Sequence, residues 1–122
     1  MIQSPLTLVV PINDGRIDSL RDVLKVREVA LKQALCQLGT VHYGRWVILE
    51  ASGPYRAQLT FESNFDGEID THIDELASGL GELVDEIYSH CDGFSPGANA
   101  EYLRKIRVRE AAFYQGSPGR TV

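Results

Sequence analysis

Residues 41–65 read VHYGRWVILEASGPYRAQLTFESNF, two alternating runs around a Gly53-Pro54 turn. In Val41 to Glu50, one set is Val41, Tyr43, Arg45, Val47 and Leu49, and the other is His42, Gly44, Trp46, Ile48 and Glu50. In Ala57 to Phe65, Leu59, Phe61 and Phe65 oppose Gln58, Thr60, Glu62 and Asn64. Side chains two apart on a strand share a face, so alternation of this kind marks two half-buried strands. The short Gly-Pro loop joins them as an antiparallel hairpin.

The second strand has one apolar set, which faces the core. The first strand has apolar residues in both sets, and the set that begins at Val41 is expected nearer the core. That choice places Arg45 on the packed face, where a buried charge needs a carboxylate. A helix supplies that partner, or the strand twists to carry Arg45 to solvent, or the two sets exchange places. The last option replaces the open-face residues of this strand by Tyr43, Arg45 and Val47.

Upstream, Leu6 to Ile12 (LTLVVPI) is a short β-branched run ended by Pro11 and Asn13-Asp14-Gly15, which predicts a strand. From Arg16 the period changes. Ile17, Leu20, Leu24, Leu31, Leu35 and Leu38 recur on one helical face, with Arg21, Lys25, Glu28 and Lys32 largely around the other side. Asn13 or Asp14 is the expected cap of this helix and Gly39 its stop. Downstream, Asp66-Gly67 opens a second long helix, with Asp66 its expected cap and the stripe Ile69, Ile73, Leu76, Leu80, Val84, Ile87 and Cys91. Gly79 and Gly81 weaken it by roughly 1 kcal/mol each relative to alanine, or let a neighbour approach closely. Asn99 to about Arg107 suggests a short third helix, Glu110 to Gln115 a last strand, and the end of the chain a loose tail.

The resulting order is strand, helix, strand, strand, helix, short helix, strand. It predicts an α+β, ferredoxin-like β-α-β-β-α-β sandwich of the dimeric α+β barrel type, with a four-stranded antiparallel sheet and two long helices on one face. Residues 1–116 form one domain and 117–122 a C-terminal tail.

Composition narrows the function classes. The chain is 43% hydrophobic and 24% charged with a formal net charge of −5, a globular balance that is repelled by phosphate backbones and anionic lipid. No apolar run approaches the ~18 residues that span a membrane. The N-terminus MIQSPLTLVVPI lacks the basic start of a secretory signal, so the cytoplasm is the expected compartment. Cys36 and Cys91 have no metal-type spacing and are expected as reduced thiols.

Two helices cover one side of the sheet. The other is expected to carry Thr7, Val9, His42, Gly44, Trp46, Ile48, Thr60, Glu62, Asn64, Ala112 and Tyr114, too much apolar area to leave wet. A second copy packed sheet to sheet is the simplest cover, which predicts an isologous homodimer. A cavity made there is lined by His42, Trp46, Glu62, Asn64 and Tyr114, a candidate site for a small apolar or aromatic ligand. No metal site and no particular cofactor is indicated.

Each motif has a structural explanation beside its functional one. His42 with Glu62 is a possible oriented base or a cross-strand polar pair. Asn64-Phe65-Asp66-Gly67 is a ligand turn or turn chemistry. Asp66, Asp70 and Asp74 with His72 are a cation site or a solvated acidic face. His90 and Cys91 are adjacent and diverge on a helix, so they are no dyad by themselves. Arg104, Lys105, Arg107 and Arg109 form a basic stretch without a nucleic-acid reader motif, so nucleic acid is not the expected partner.

The segments His42-Tyr43-Gly44-Arg45-Trp46-Val47, Phe61 to Gly67 (FESNFDG) and Phe113 to Arg120 (FYQGSPGR) resemble an uncharacterised bacterial family with HxxR[FW]V, FxSNFDG and FYxGxPGR segments. The resemblance covers about the last two thirds of the chain and implies a ferredoxin-like or dimeric α+β barrel domain. In similar proteins the closing segment continues into further chain. No activity comes with it. By analogy of fold alone, dimeric α+β barrels include haem-degrading monooxygenases, chlorite dismutases and dye-decolourising peroxidases. The expected function is therefore an accessory or small-ligand-binding homodimer, with a small oxygenase or haem-related enzyme as the alternative.

Overall fold

The computed structural model describes residues 3–108. In chain order the elements are β1 (Gln3–Pro11), α1 (Ile17–Val26), α2 (Glu28–Gln37), β2 (Val41–Leu49), β3 (Gln58–Asp66), α3 (Ile69–Leu80), α4 (Glu82–Tyr88), α5 (Asn99–Lys105) and β4 (Arg107–Val108). The strands lie in the order β2-β3-β1-β4, every neighbouring pair antiparallel. This is the ferredoxin-like plan, and helices cover one face. The expected last strand at Glu110 to Gln115 and the tail lie outside the described residues.

Alternation works as expected on the two central strands. Leu6, Leu8 and Val10 of β1 and Leu59, Phe61 and Phe65 of β3 are buried beneath the helices. Thr7 pairs with Glu62 and Val9 with Thr60 on the opposite face.

On β2 the expected phase is reversed. Trp46 stands opposite Phe61 and Ile48 opposite Leu59, whereas Arg45 stands opposite Glu62 and Val47 opposite Thr60. Directly opposed residues share a face, so Gly44, Trp46 and Ile48 pack under the helices while Tyr43, Arg45, Val47 and Leu49 face outward. A Cβ on Gly44 would come within 3.0 Å of the Leu35 side chain, which shows how closely α2 passes over this strand. The placement of Trp46 on the open face is therefore corrected. The cause is a stronger apolar match: the indole sits on the Phe61 ring, centroids 4.4 Å apart, and Arg45 stays hydrated.

Both predicted long helices are broken in two. The first turns at Arg27 (φ −93°, ψ 9°), where the apolar stripe skips from Leu24 to Leu31 and a charged residue takes the intervening place. The Arg27 guanidinium meets Glu86 at 2.9 Å. The second breaks at Gly81 (φ 54°, ψ −123°), a conformation that side-chain-bearing residues rarely adopt. Gly79 makes the close approach: a Cβ there would lie 2.7 Å from Leu38. The expected side-chain caps are not made. Asn13 donates to the Cys91 carbonyl instead, the first helix starts after Arg16 and the second after Glu68, both without a side-chain cap.

Candidate functional site

The reversed phase of β2 splits the predicted open-face site in two. Glu62 and Asn64 remain on the outer face of β3. Glu62 meets Arg45 at 3.5 Å, and both side chains are half-exposed. This pair answers the question of Arg45's partner: a carboxylate across the strand, at the surface. His42 falls at a bulge, because the pairing advances from Val41–Phe65 to Tyr43–Asn64. Its Nε2 lies 2.9 Å from the Asp66 carboxylate. His42 therefore pairs with Asp66 and not with Glu62. Trp46 leaves this group for the helix side, and Tyr114 lies outside the described residues.

Two clefts result. The outer one, a groove of about 310 Å³, runs over Thr7, Val9, Val47, Leu49 and Thr60 with the Arg45–Glu62 pair at its side. Tyr43 and Leu49 are 47% and 49% exposed, large for side chains of that kind.

The second cleft, about 370 Å³, lies between the first helical pair and edge strand β2. Its apolar wall is Leu24, Leu31, Leu35 and Trp46, with Gly44 at the base. Lys25, Glu28, Lys32 and Arg45 complete it. The local sequence explains this shape. Leu24 and Lys25 come from the last turns of α1, Leu31 and Lys32 from the first turns of α2, and all four line the cleft. Gly44 removes the side chain that would otherwise fill the space beside Trp46.

Trp46 is held in place. Its indole N–H donates to the Tyr88 hydroxyl at 3.2 Å. Burial holds the Tyr88 phenol above its ordinary range, so the hydroxyl stays protonated and available as acceptor. Tyr88 in turn packs edge-on against Tyr102, whose hydroxyl donates to the Asp92 carbonyl at 2.7 Å. The aromatic wall of the cleft is thus tied to the core rather than free to swing.

The remaining polar motifs are accounted for by structure. Asp70 and Asp74 clasp Arg104 at 3.3 and 2.9 Å, which joins α3 to α5. His72 points away from them into the core, where Nε2 lies 3.0 Å from the Ser63 hydroxyl and the ring stacks on Phe65. Burial pushes its pKa down to about 4. Both His90 ring nitrogens are partnered, Nδ1 3.2 Å from the Ile87 carbonyl and Nε2 2.8 Å from the Ser19 hydroxyl. Both cysteines are free, and burial pushes the Cys91 thiol up to about 12, so it is no nucleophile at neutral pH. None of the three histidines lines either cleft.

Lys25, Lys32 and Glu28 were not legible as site residues, because on a sequence they look like the solvated side of an amphipathic helix. Their position flanking the leucine row was the available signal.

No protein-family model matches the chain, and no curated protein matches it. Among solved structures, tetracenomycin F2 cyclase from Streptomyces glaucescens, a type-II polyketide cyclase, is similar over 87% of this chain and 92% of its own, with a TM-score of 0.54 and 10% identity. At that identity the likeness shows the fold alone: a ferredoxin-like α+β domain. No helix among the described residues is long and apolar enough to cross a membrane.

Proposed function

We propose that this chain is a small-ligand-binding, homodimeric α+β domain that takes a flat, apolar or aromatic molecule against Trp46, in the cleft beneath α1 and α2. The observation that carries the reading is the cleft itself. Its volume of about 370 Å³ falls within the roughly 300–1,000 Å³ of ligand sites, and an apolar wall with a few polar groups at its rim is their usual lining. A wall fixed by the Trp46–Tyr88 hydrogen bond is preorganised, which reduces the ordering cost of binding. The fold neighbour, a type-II polyketide cyclase, supports the view that this scaffold serves small-molecule chemistry.

The second copy is assigned to the outer face. Tyr43, Val47, Leu49 and Val9 give that face an apolar strip beside the Arg45–Glu62 pair, and a two-fold partner buries the strip against itself.

Trp46 is the sole tryptophan of the chain, so its indole N–H gives one NMR signal that reports on the cleft. Titration with 2-naphthol, a flat neutral probe, is expected to shift that signal and the Leu24, Leu31 and Leu35 methyls in a saturable way. Shifts confined to Val47, Leu49 and Thr60, or none at all, would overturn the assignment of the cleft.

A further inference from the structure

We infer that the molecule bound in this cleft is an anion: a planar apolar body carrying a carboxylate or comparable acidic group toward the rim. The inference rests on the cleft being a ligand site and adds the chemical class of the ligand. The chain is acidic, with 17 Asp and Glu against 12 Lys and Arg, yet the charged residues lining this cleft are Lys25, Lys32 and Arg45 against Glu28 alone. The local excess of two positive charges therefore opposes the sign of the whole protein.

These cations are available. Lys32 has only a loose contact with Glu28, at 3.9 Å, and its side chain is 76% exposed. Lys25 makes no ion pair among the described residues. Arg45 belongs to both clefts, and its 3.5 Å contact with Glu62 is a half-exposed pair of the kind that exchanges readily for another partner. Lys25 comes from α1 and Lys32 from α2, while Arg45 comes from edge strand β2. Cations thus come from both the helical and the strand side of a cleft whose apolar wall is leucine and indole. A neutral ligand would leave this charge unused. A ligand with one acidic group turned outward meets it while its ring stays against Trp46. The side chains are long and partly hydrated, so the expected preference is on the order of tenfold and falls with added salt.

The experiment compares 2-naphthoate with 2-naphthol by calorimetry and by the Trp46 indole signal. Naphthoate is expected to bind about tenfold more tightly at low salt. Lys25→Gln with Lys32→Gln is expected to remove most of that preference, lowering naphthoate affinity more than naphthol affinity. Glu28→Gln, which removes the opposing charge, is expected to increase it. All three positions are exposed, so the variants retain the fold. Equal affinities for the two probes, or a preference untouched by these substitutions, would overturn the anion assignment while leaving the cleft as a site. Failure of both probes to bind would overturn the cleft and the anion together.

Discussion

Acidification should destabilise this protein through one identifiable group, His72. The imidazole is buried on the inner side of α3, its ring centroid 3.8 Å from that of Phe65 and its plane nearly parallel to it. Nε2 is satisfied by Ser63, but Nδ1 has no hydrogen-bond partner among the described residues. A proton added there would place a positive charge in a buried, desolvated site, which is why the pKa falls from 6.5 to about 4. The sign follows from linkage. Between those two values the unfolded chain holds the proton and the folded chain does not, so unfolding takes up a proton and acid favours it. The contribution is fully present above pH 6.5 and is lost as pH falls toward about 4. Its slope reaches at most ~1.4 kcal/mol per pH unit, and the whole loss is about 3 kcal/mol, a large share of the ~5–15 kcal/mol that a domain of this size commands.

Urea denaturation across that range, for the parent protein and for His72→Gln, isolates the term. The variant keeps a polar group beside Ser63 but cannot titrate. It should be less stable at neutral pH by about 1–3 kcal/mol, from imperfect packing and an altered hydrogen bond. Below pH 6.5 it should lose stability less steeply than the parent, so that the two curves converge. Parallel curves would show that His72 is not the group responsible and that its surroundings are wetter than the packing indicates.

Two other substitutions test the fold's less expected features. Gly81→Ala should destabilise by roughly 1–3 kcal/mol in urea or thermal unfolding, because Gly81 sits at φ 54°, ψ −123°; helix propensity alone predicts a gain of about 1 kcal/mol, so a stabilised variant would refute the break between α3 and α4. Leu49→Glu, at a half-exposed site on the outer face, should convert the proposed dimer to monomer in sedimentation velocity with the Trp46 indole signal unchanged. A parent that sediments as a monomer, or a variant that remains dimeric, would remove the sheet-to-sheet interface. Trp46 is the wrong residue for that test, because a charge there enters the helix-packed side.

The predicted element order holds over the described residues, because each element carries its own period. Leu6, Leu8 and Val10 stand two apart, and Leu59, Phe61 and Phe65 occupy alternate places against polar neighbours. Leu20, Leu24, Leu31 and Leu35 stand at helical spacing. Local backbone geometry is enough to turn such spacing into a strand or a helix and to say which side is apolar. Gly79 and Gly81 were legible as anomalies, although only the packed structure shows that one admits Leu38 and the other ends a helix.

The phase of β2 could not be settled in the same way. Both of its alternating sets are apolar in part, so transfer energy hardly distinguishes them, and a one-residue offset exchanges every side chain between faces. Arg45 and Gly44 held the decisive hint: a charge is poorly placed under helices, and a missing side chain is what a close helix requires. What resolved it lies far off in the chain, namely Phe61 beneath the indole, Tyr88 accepting its N–H, Glu62 beside the guanidinium and Leu35 against Gly44. Periodicity is a property of neighbours along the backbone and determined the sandwich. Which face a doubly apolar strand buries depends on partners brought together only by folding, and that choice moved Trp46, and the candidate site with it, beneath the helices.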